Sequence, residues 1–186
     1  FEPQKNIYNE LKKNVENYKN AECFNFGLGA ENKLVNFYIN TNNENQSSSV
    51  LKPKDHLKYH PHVTFNKEEE IEIKRLDDLE LGEIDFINID VQGYELEVLK
   101  GSKDSLEDVK YLFIEVNRKE LYEDCVLVKD LDKFLQQYEF NRLETEWWNK
   151  TGTWGDAFYI KKDLVKKTSL LFSLLKNKLQ GKIGRA

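Results

Sequence analysis

Residues 84–90 (IDFINID) constrain the fold more than any other stretch of the chain. In an extended conformation Ile84, Phe86 and Asn88 point one way, and Asp85, Ile87 and Ile89 the other. Both sides are mostly apolar, which suits a central strand covered on both faces and does not suit an edge strand. Val91-Gln92-Gly93 turns the chain, with Gly93 supplying the freedom for a sharp bend. Residues 94–100 (YELEVLK) then read as a helix ended by Gly101. A buried strand running straight into a helix is a building unit of α/β architecture.

The rest of the chain extends that alternation. Ile7, Leu11, Val15 and Tyr18 recur at helical spacing within residues 4–18, so Phe1 and Glu2 read as the end of a strand feeding a helix. Residues 22–28 and 34–39 read as strands, and the polar run 40–49 as a loop. Pro53 and Pro61 break the next stretch, with a strand expected at 63–65 or at 70–74 and a short helix at 75–79. Residues 111–116 (YLFIEV) form another buried strand and 127–138 a helix. The strands at 141–147 and 156–160 are joined by a connection too short for a crossover, so they pair antiparallel. The expected architecture is an α/β sandwich with a mostly parallel sheet and a C-terminal antiparallel hairpin.

The chain has 186 residues, enough for one domain that buries a core without disulfides. Its net charge of −5 argues against general nucleic-acid binding. That charge is unevenly spread. Residues 161–186 carry about +7, leaving about −12 on the remainder. The division places a domain at 1–162 and a basic amphipathic helix or tail at 163–186. Such a tail either packs on its own domain or meets an anionic membrane surface or a protein partner. Cys23 and Cys125 show no metal-type spacing and read as structural thiols of a reducing compartment. With no secretory leader or long apolar run, the expected location is cytoplasmic, with membrane-peripheral contact through the tail as the variant. The chain starts at Phe1 and lacks methionine, and it reads as a piece of a longer protein.

In an open parallel sheet, ligands bind at the carboxyl ends of the strands. Here those ends are acidic. Glu2 closes the first strand, Asp90 the central one, and Glu115 lies near the end of the next, followed by Asn117. Carboxylates in that arrangement suit a ligand rich in hydroxyls or positive charge. Glu2 either meets a ribose diol or caps the following helix. Asp90 is either a site residue or a helix N-cap. Glu95 reads as a complement to its helix dipole. His56, His60 and His62 share one window; His56 and His60 could share a helical face around a metal, but Pro61 breaks it, and no metal ligand is assigned. Trp147, Trp148 and Trp154 flank the hairpin turn, where they either pack against the sheet or present an aromatic sugar platform.

The segment IDFINIDVQGYELEVLKGS at 84–102 resembles the hallmark of FkbM-family methyltransferases. FEP at 1–3, FGLGA at 26–30, QSSSVL at 46–51, FIEVN at 113–117 and WGDAFYIKK at 154–162 are similar to further family segments. Gln92 departs from the acid usual between Val and Gly, and Asn88 from the usual Lys. The resemblance implies a Rossmann-like, class I methyltransferase fold that uses S-adenosylmethionine and methylates oxygen, on a small-molecule or glycan acceptor. It implies that Glu2 holds the ribose, that Gly27, Leu28 and Gly29 border the adenine, and that Asp90 faces the methyl donor or takes the hydroxyl proton. Glu115 and the histidines are the other candidates for that base. His60, His62, Asn117 and Trp154 are expected to meet the acceptor. The family's Gly-rich first strand is not in the sequence, so an N-terminally truncated form of the fold is expected, with that strand carried by the parent chain. A non-catalytic module on the same fold and a nicotinamide oxidoreductase on a related sheet are the alternative readings.

Overall fold

The computed structural model describes residues 1–42, 47–59, 61–148 and 152–165. Helix α1 (Lys5–Val15) follows Glu2 and Pro3. Strand β1 (Gly27–Leu28) pairs parallel with β3 (Phe65–Lys74), which pairs antiparallel with β2 (Lys33–Asn40). Helix α2 (His56–Tyr59) lies between β2 and β3. A second sheet holds β4 (Phe86–Ile89), β5 (Tyr111–Asn117), β6 (Phe140–Trp148) and β7 (Trp154–Lys161) in the order β4-β5-β7-β6. Helices α3 (Glu95–Lys100) and α4 (Ser105–Asp108) separate β4 from β5, and α5 (Val128–Gln136) leads into β6.

The expected mostly parallel sheet gives way to two mixed ones. β4 and β5 run parallel, as a crossover through α3 and α4 requires, but β7 reverses against both β5 and β6. The 22–28 strand shrinks to two residues, because Phe24 and Phe26 leave the ladder to pack with Phe1. The two candidate strands before residue 75 are one strand. β3 runs through the acidic stretch because Ile71 and Ile73 point inward while Glu68, Glu70 and Glu72 face water. The short helix expected after it is a single 3-10 turn at Leu76–Asp78. β4 is shorter than its apolar pattern: the ladder with β5 begins at Phe86, and the Asp85 carbonyl before it accepts the Lys110 and Tyr111 N–H groups.

The core lies on one face of the second sheet. Leu112, Ile114 and Val116 of β5 and Ala157 and Tyr159 of β7 meet Val98 and Leu99 of α3, Leu106 of α4, and Leu131 and Leu135 of α5. The period-2 pattern of the strands matches the helical spacing of α5, so both present one apolar side to the same layer. The opposite sheet face carries Phe86, Phe113 and Trp148, each at least 39% exposed. Both cysteines are free thiols. No helix among the described residues is long and apolar enough to cross a membrane. Residues 166–186 of the basic tail, and His60, lie outside the described residues.

Candidate functional site

The turn after β4 is built by strain and by a buried acid. Gln92 has φ +54° and Gly93 φ +99°, so two consecutive residues take left-handed conformations. At Gly93 a Cβ would also stand 2.8 Å from the Cβ of Cys125, so only glycine fits. Glu95 locks the turn from inside: its Oε1 accepts the Val91 N–H at 3.3 Å and the Gly93 N–H at 2.9 Å. Glu95 is fully buried, and that burial pushes its carboxyl up to about 7, against the pull of those backbone donors. Its other oxygen, Oε2, has no hydrogen-bond partner. It is therefore more than the dipole complement its position suggests. Asp90, in contrast, does not cap α3, whose N-cap is Tyr94.

Asp90 and Glu115 come together because β4 and β5 run parallel. Ile89 pairs with Ile114, so the next residue on each strand lies side by side. The Gln92 side-chain amide nitrogen donates to Asp90 Oδ1 and to Glu115 Oε2, at 2.7 Å each. Burial, with Asp90 and Glu95 alongside, holds the Glu115 carboxyl well above its ordinary value, against the pull of the Gln92 donor. Two adjacent carboxylates with one raised are arranged to hold and exchange a proton. The Tyr122 hydroxyl lies 3.0 Å from both Gln92 Oε1 and the Ser47 carbonyl, and the Ser49 hydroxyl donates to the Gln92 carbonyl at 2.7 Å. The Ser-rich segment is thereby tied to the acid pair.

One cavity of about 1330 Å³ joins these groups to the other candidates. Glu2, Gly27, Leu28, Asp90, Glu115, His62 and Trp154 all line it, as do His56, Gln92, Trp148 and Asp156. Glu2 and Asp90 therefore open into the same space. Glu2 is partly committed, since its Oε1 accepts the Gln4 N–H at 2.7 Å; burial raises its carboxyl from the ordinary value. Gly29 does not line the cavity: it packs against Ile73 and Tyr94, and its carbonyl faces Gly101. Asn117 is buried on the same side of β5 as Glu115, two residues on, with neither amide atom hydrogen-bonded. His56 sits in an aromatic pocket between Phe65 and Tyr122. Among the described residues no group of three His, Cys, Asp or Glu side chains is placed to hold a metal ion.

Sequence reasoning missed the roles of Glu95, Tyr122 and Asp156. The period-2 placement of Asp156 opposite Glu115 was readable once β5 and β7 were paired; the Tyr122 contact, which spans 75 residues to Ser47, had no local signal.

Comparison with known proteins identifies the family and the kind of fold. The family model of the methyltransferase FkbM domain matches residues 1–142. The chain belongs to the FkbM methyltransferase family. A curated relative, the 2-O-methyltransferase NoeI of Sinorhizobium fredii (strain NBRC 101917 / NGR234), is 27% identical over 148 residues. The match covers 75% of this chain and 61% of the relative, so the chain spans under two thirds of that protein. A solved FkbM methyltransferase structure from Methylobacillus flagellatus KT is similar with a TM-score of 0.52 at 15% identity, over 85% of this chain and 34% of that one. The α/β fold with mixed sheets is thus shared with an FkbM methyltransferase. The family match ends inside β6, whereas the structural likeness takes in most of the chain.

Proposed function

We propose that this FkbM domain belongs to an enzyme that transfers a methyl group from S-adenosylmethionine to a hydroxyl oxygen of a sugar or other small metabolite, on a Rossmann-like methyltransferase fold. The observation that carries the reading is the Asp90–Glu115 pair, clamped by Gln92 and open to the cavity that Glu2 also lines. The donor set fits such a ligand: carboxylates at one end of the sheet complement ribose hydroxyls and a sulfonium charge, and the cavity walls are otherwise largely apolar. When bound, S-adenosylmethionine supplies an electrophilic methyl group on a positively charged sulfur.

The residues of the chain divide the remaining work. Glu2 accepts hydrogen bonds from a diol, and Gly27 and Leu28 form the wall beside it. Moving a methyl to a hydroxyl oxygen releases a proton, and an alcohol does not ionise unaided at neutral pH. A positioned base therefore contributes ~100-fold or more. Asp90 is the exposed member of the pair and takes that proton; Glu115, buried behind it, shares the load through Gln92. The apolar walls formed by Val50, Leu121 and Ile89 keep water from competing. Asn117, His62 and Trp154 lie on the acceptor side in this reading.

Calorimetric titration of S-adenosylmethionine and S-adenosylhomocysteine into the full-length protein tests it. Saturable binding of both is expected. Absence of binding would favour a non-catalytic module that kept the family fold.

A further inference from the structure

The pairing of β5, β7 and β6 arranges their side chains in two rows on one sheet face. Glu115 is opposite Asp156, which is opposite Glu146; two residues along, Asn117 is opposite Trp154, which is opposite Trp148. Directly paired residues share a face, and so do residues two apart on a strand. Asp90 extends the first row on the β4 side, one step beyond the Ile89–Ile114 pair. An acidic row thus runs beside an aromatic one at the rim of the cavity.

The three tryptophans divide by face. Trp147 points the other way, and the Arg118 guanidinium stacks 3.6 Å from its ring centre, so its role is to pack the hairpin. Trp148 and Trp154 line the cavity with ring centroids 6.2 Å apart, tilted by 36°. Trp148 remains 40% exposed, and its indole N–H donates to Asp156, which fixes ring and carboxylate together. Packing of the turn explains Trp147 but not an exposed indole whose polar edge is anchored beside an acid pair.

We propose that Trp148, Trp154 and Asp156 form the acceptor subsite, and that it takes a neutral pyranoside. The chemistry follows from the two rows. An indole face covers the apolar C–H side of a sugar ring, while carboxylates accept hydrogen bonds from adjacent ring hydroxyls. A ring lying on the two indoles directs its hydroxyls across Asp156 toward Glu115 and Asp90. The same carboxylates disfavour uronates and sugar phosphates, because among the described residues no lysine or arginine lines the cavity. This inference rests on the methyl-transfer reading for its purpose, but not for its test.

The experiment follows the tryptophan indole N–H signals of the 15N-labelled full-length protein. The probes are methyl α-D-glucopyranoside, methyl α-D-mannopyranoside and methyl β-D-galactopyranoside, with glucuronate and glucosamine as charged comparators. At least one neutral glycoside is expected to move the Trp148 and Trp154 signals saturably, leaving Trp147 in place and glucuronate without effect. Trp148→Ala and Asp156→Asn are each expected to weaken that binding about tenfold. Trp154→Phe, which keeps an aromatic face, is expected to retain most of it. No response to any neutral glycoside, a response to glucosamine alone, or undiminished binding in Trp148→Ala would overturn the proposal. S-adenosylhomocysteine binding, measured alongside, separates the two ideas. Glycoside binding without nucleoside binding sinks methyl transfer and leaves the platform standing; nucleoside binding without glycoside binding sinks the platform alone.

Discussion

Asp90 and Glu115 are neighbours across a parallel ladder, each one residue past the Ile89–Ile114 pair, and both accept a hydrogen bond from one amide nitrogen, that of Gln92. One carboxylate is exposed and the other is buried, and that burial holds the Glu115 carboxyl well above its ordinary value.

Replacing Asp90 with Asn keeps the shape and the Gln92 contact but removes the base. Methyl transfer by the full-length protein should fall ~100-fold or more. The rate under saturating donor and acceptor checks this; an unchanged rate would move the base to Glu115 or to a histidine.

Gln92→Ala removes the donor that favours the ionised form of Glu115. The Glu115 carboxyl should then hold its proton to higher pH, and the acid limb of the rate profile should move up with it. Gln92→Glu should displace the limb further in the same direction, because a third carboxylate joins the pair. Carbon-13 signals of labelled Asp and Glu side chains report the titration directly. A limb that stays in place in both variants would remove Gln92 from the proton chemistry.

Glu95 gives the fold a pH dependence of definite sign. Its folded pKa of about 7 lies above the ordinary value of 4.5, so the folded state binds the proton more tightly. The associated stability is complete below pH 4.5 and is lost as pH rises through 7, a difference on the order of 3 kcal/mol. Glu95→Gln keeps an oxygen to accept the Val91 and Gly93 N–H groups and cannot ionise. Its urea midpoint should exceed that of the wild type at pH 8 and approach it at pH 4.5. Parallel pH profiles for the two proteins would show that Glu95 is not the buried acid responsible.

Gly101 ends α3 against another part of the backbone. A Cβ there would lie 1.9 Å from the Gly29 carbonyl oxygen. Gly101→Ala should therefore destabilise the domain by about 3 kcal/mol or more, since backbone rather than a flexible side chain must move. A denaturation midpoint within error of the wild type would show that the 29–30 segment yields freely.

What the chain revealed in advance was what its local periodicity encodes. The Asp90 turn, α3 with its Gly101 end, β5, α5 and the terminal hairpin all carry apolar patterns or breakers at their own positions, and all are present. Either 63–65 or 70–74 reads as the strand because Glu68, Glu69 and Glu70 interrupt the apolar pattern; alternation puts Glu68 and Glu70 on the wet side and a half-buried Glu69 on the side of Ile71. The sheet directions depended on which strands pair, and local patterns do not encode that. The acids at strand ends were readable, but the convergence of Gln92, Tyr122 and Ser49 on them arises from contacts that close long loops. Gly29 shares its motif with Gly27, but it lies past the end of β1 and packs against Ile73 and Tyr94.

Among the described residues β4 hydrogen-bonds to a neighbour on one margin only, and Phe86 on that strand is 51% exposed. An unsatisfied ladder beside a bare aromatic ring is a template for another strand, whether from the same polypeptide or from a second molecule. In concentrated solution such a flank favours edge-to-edge association wherever no strand covers it.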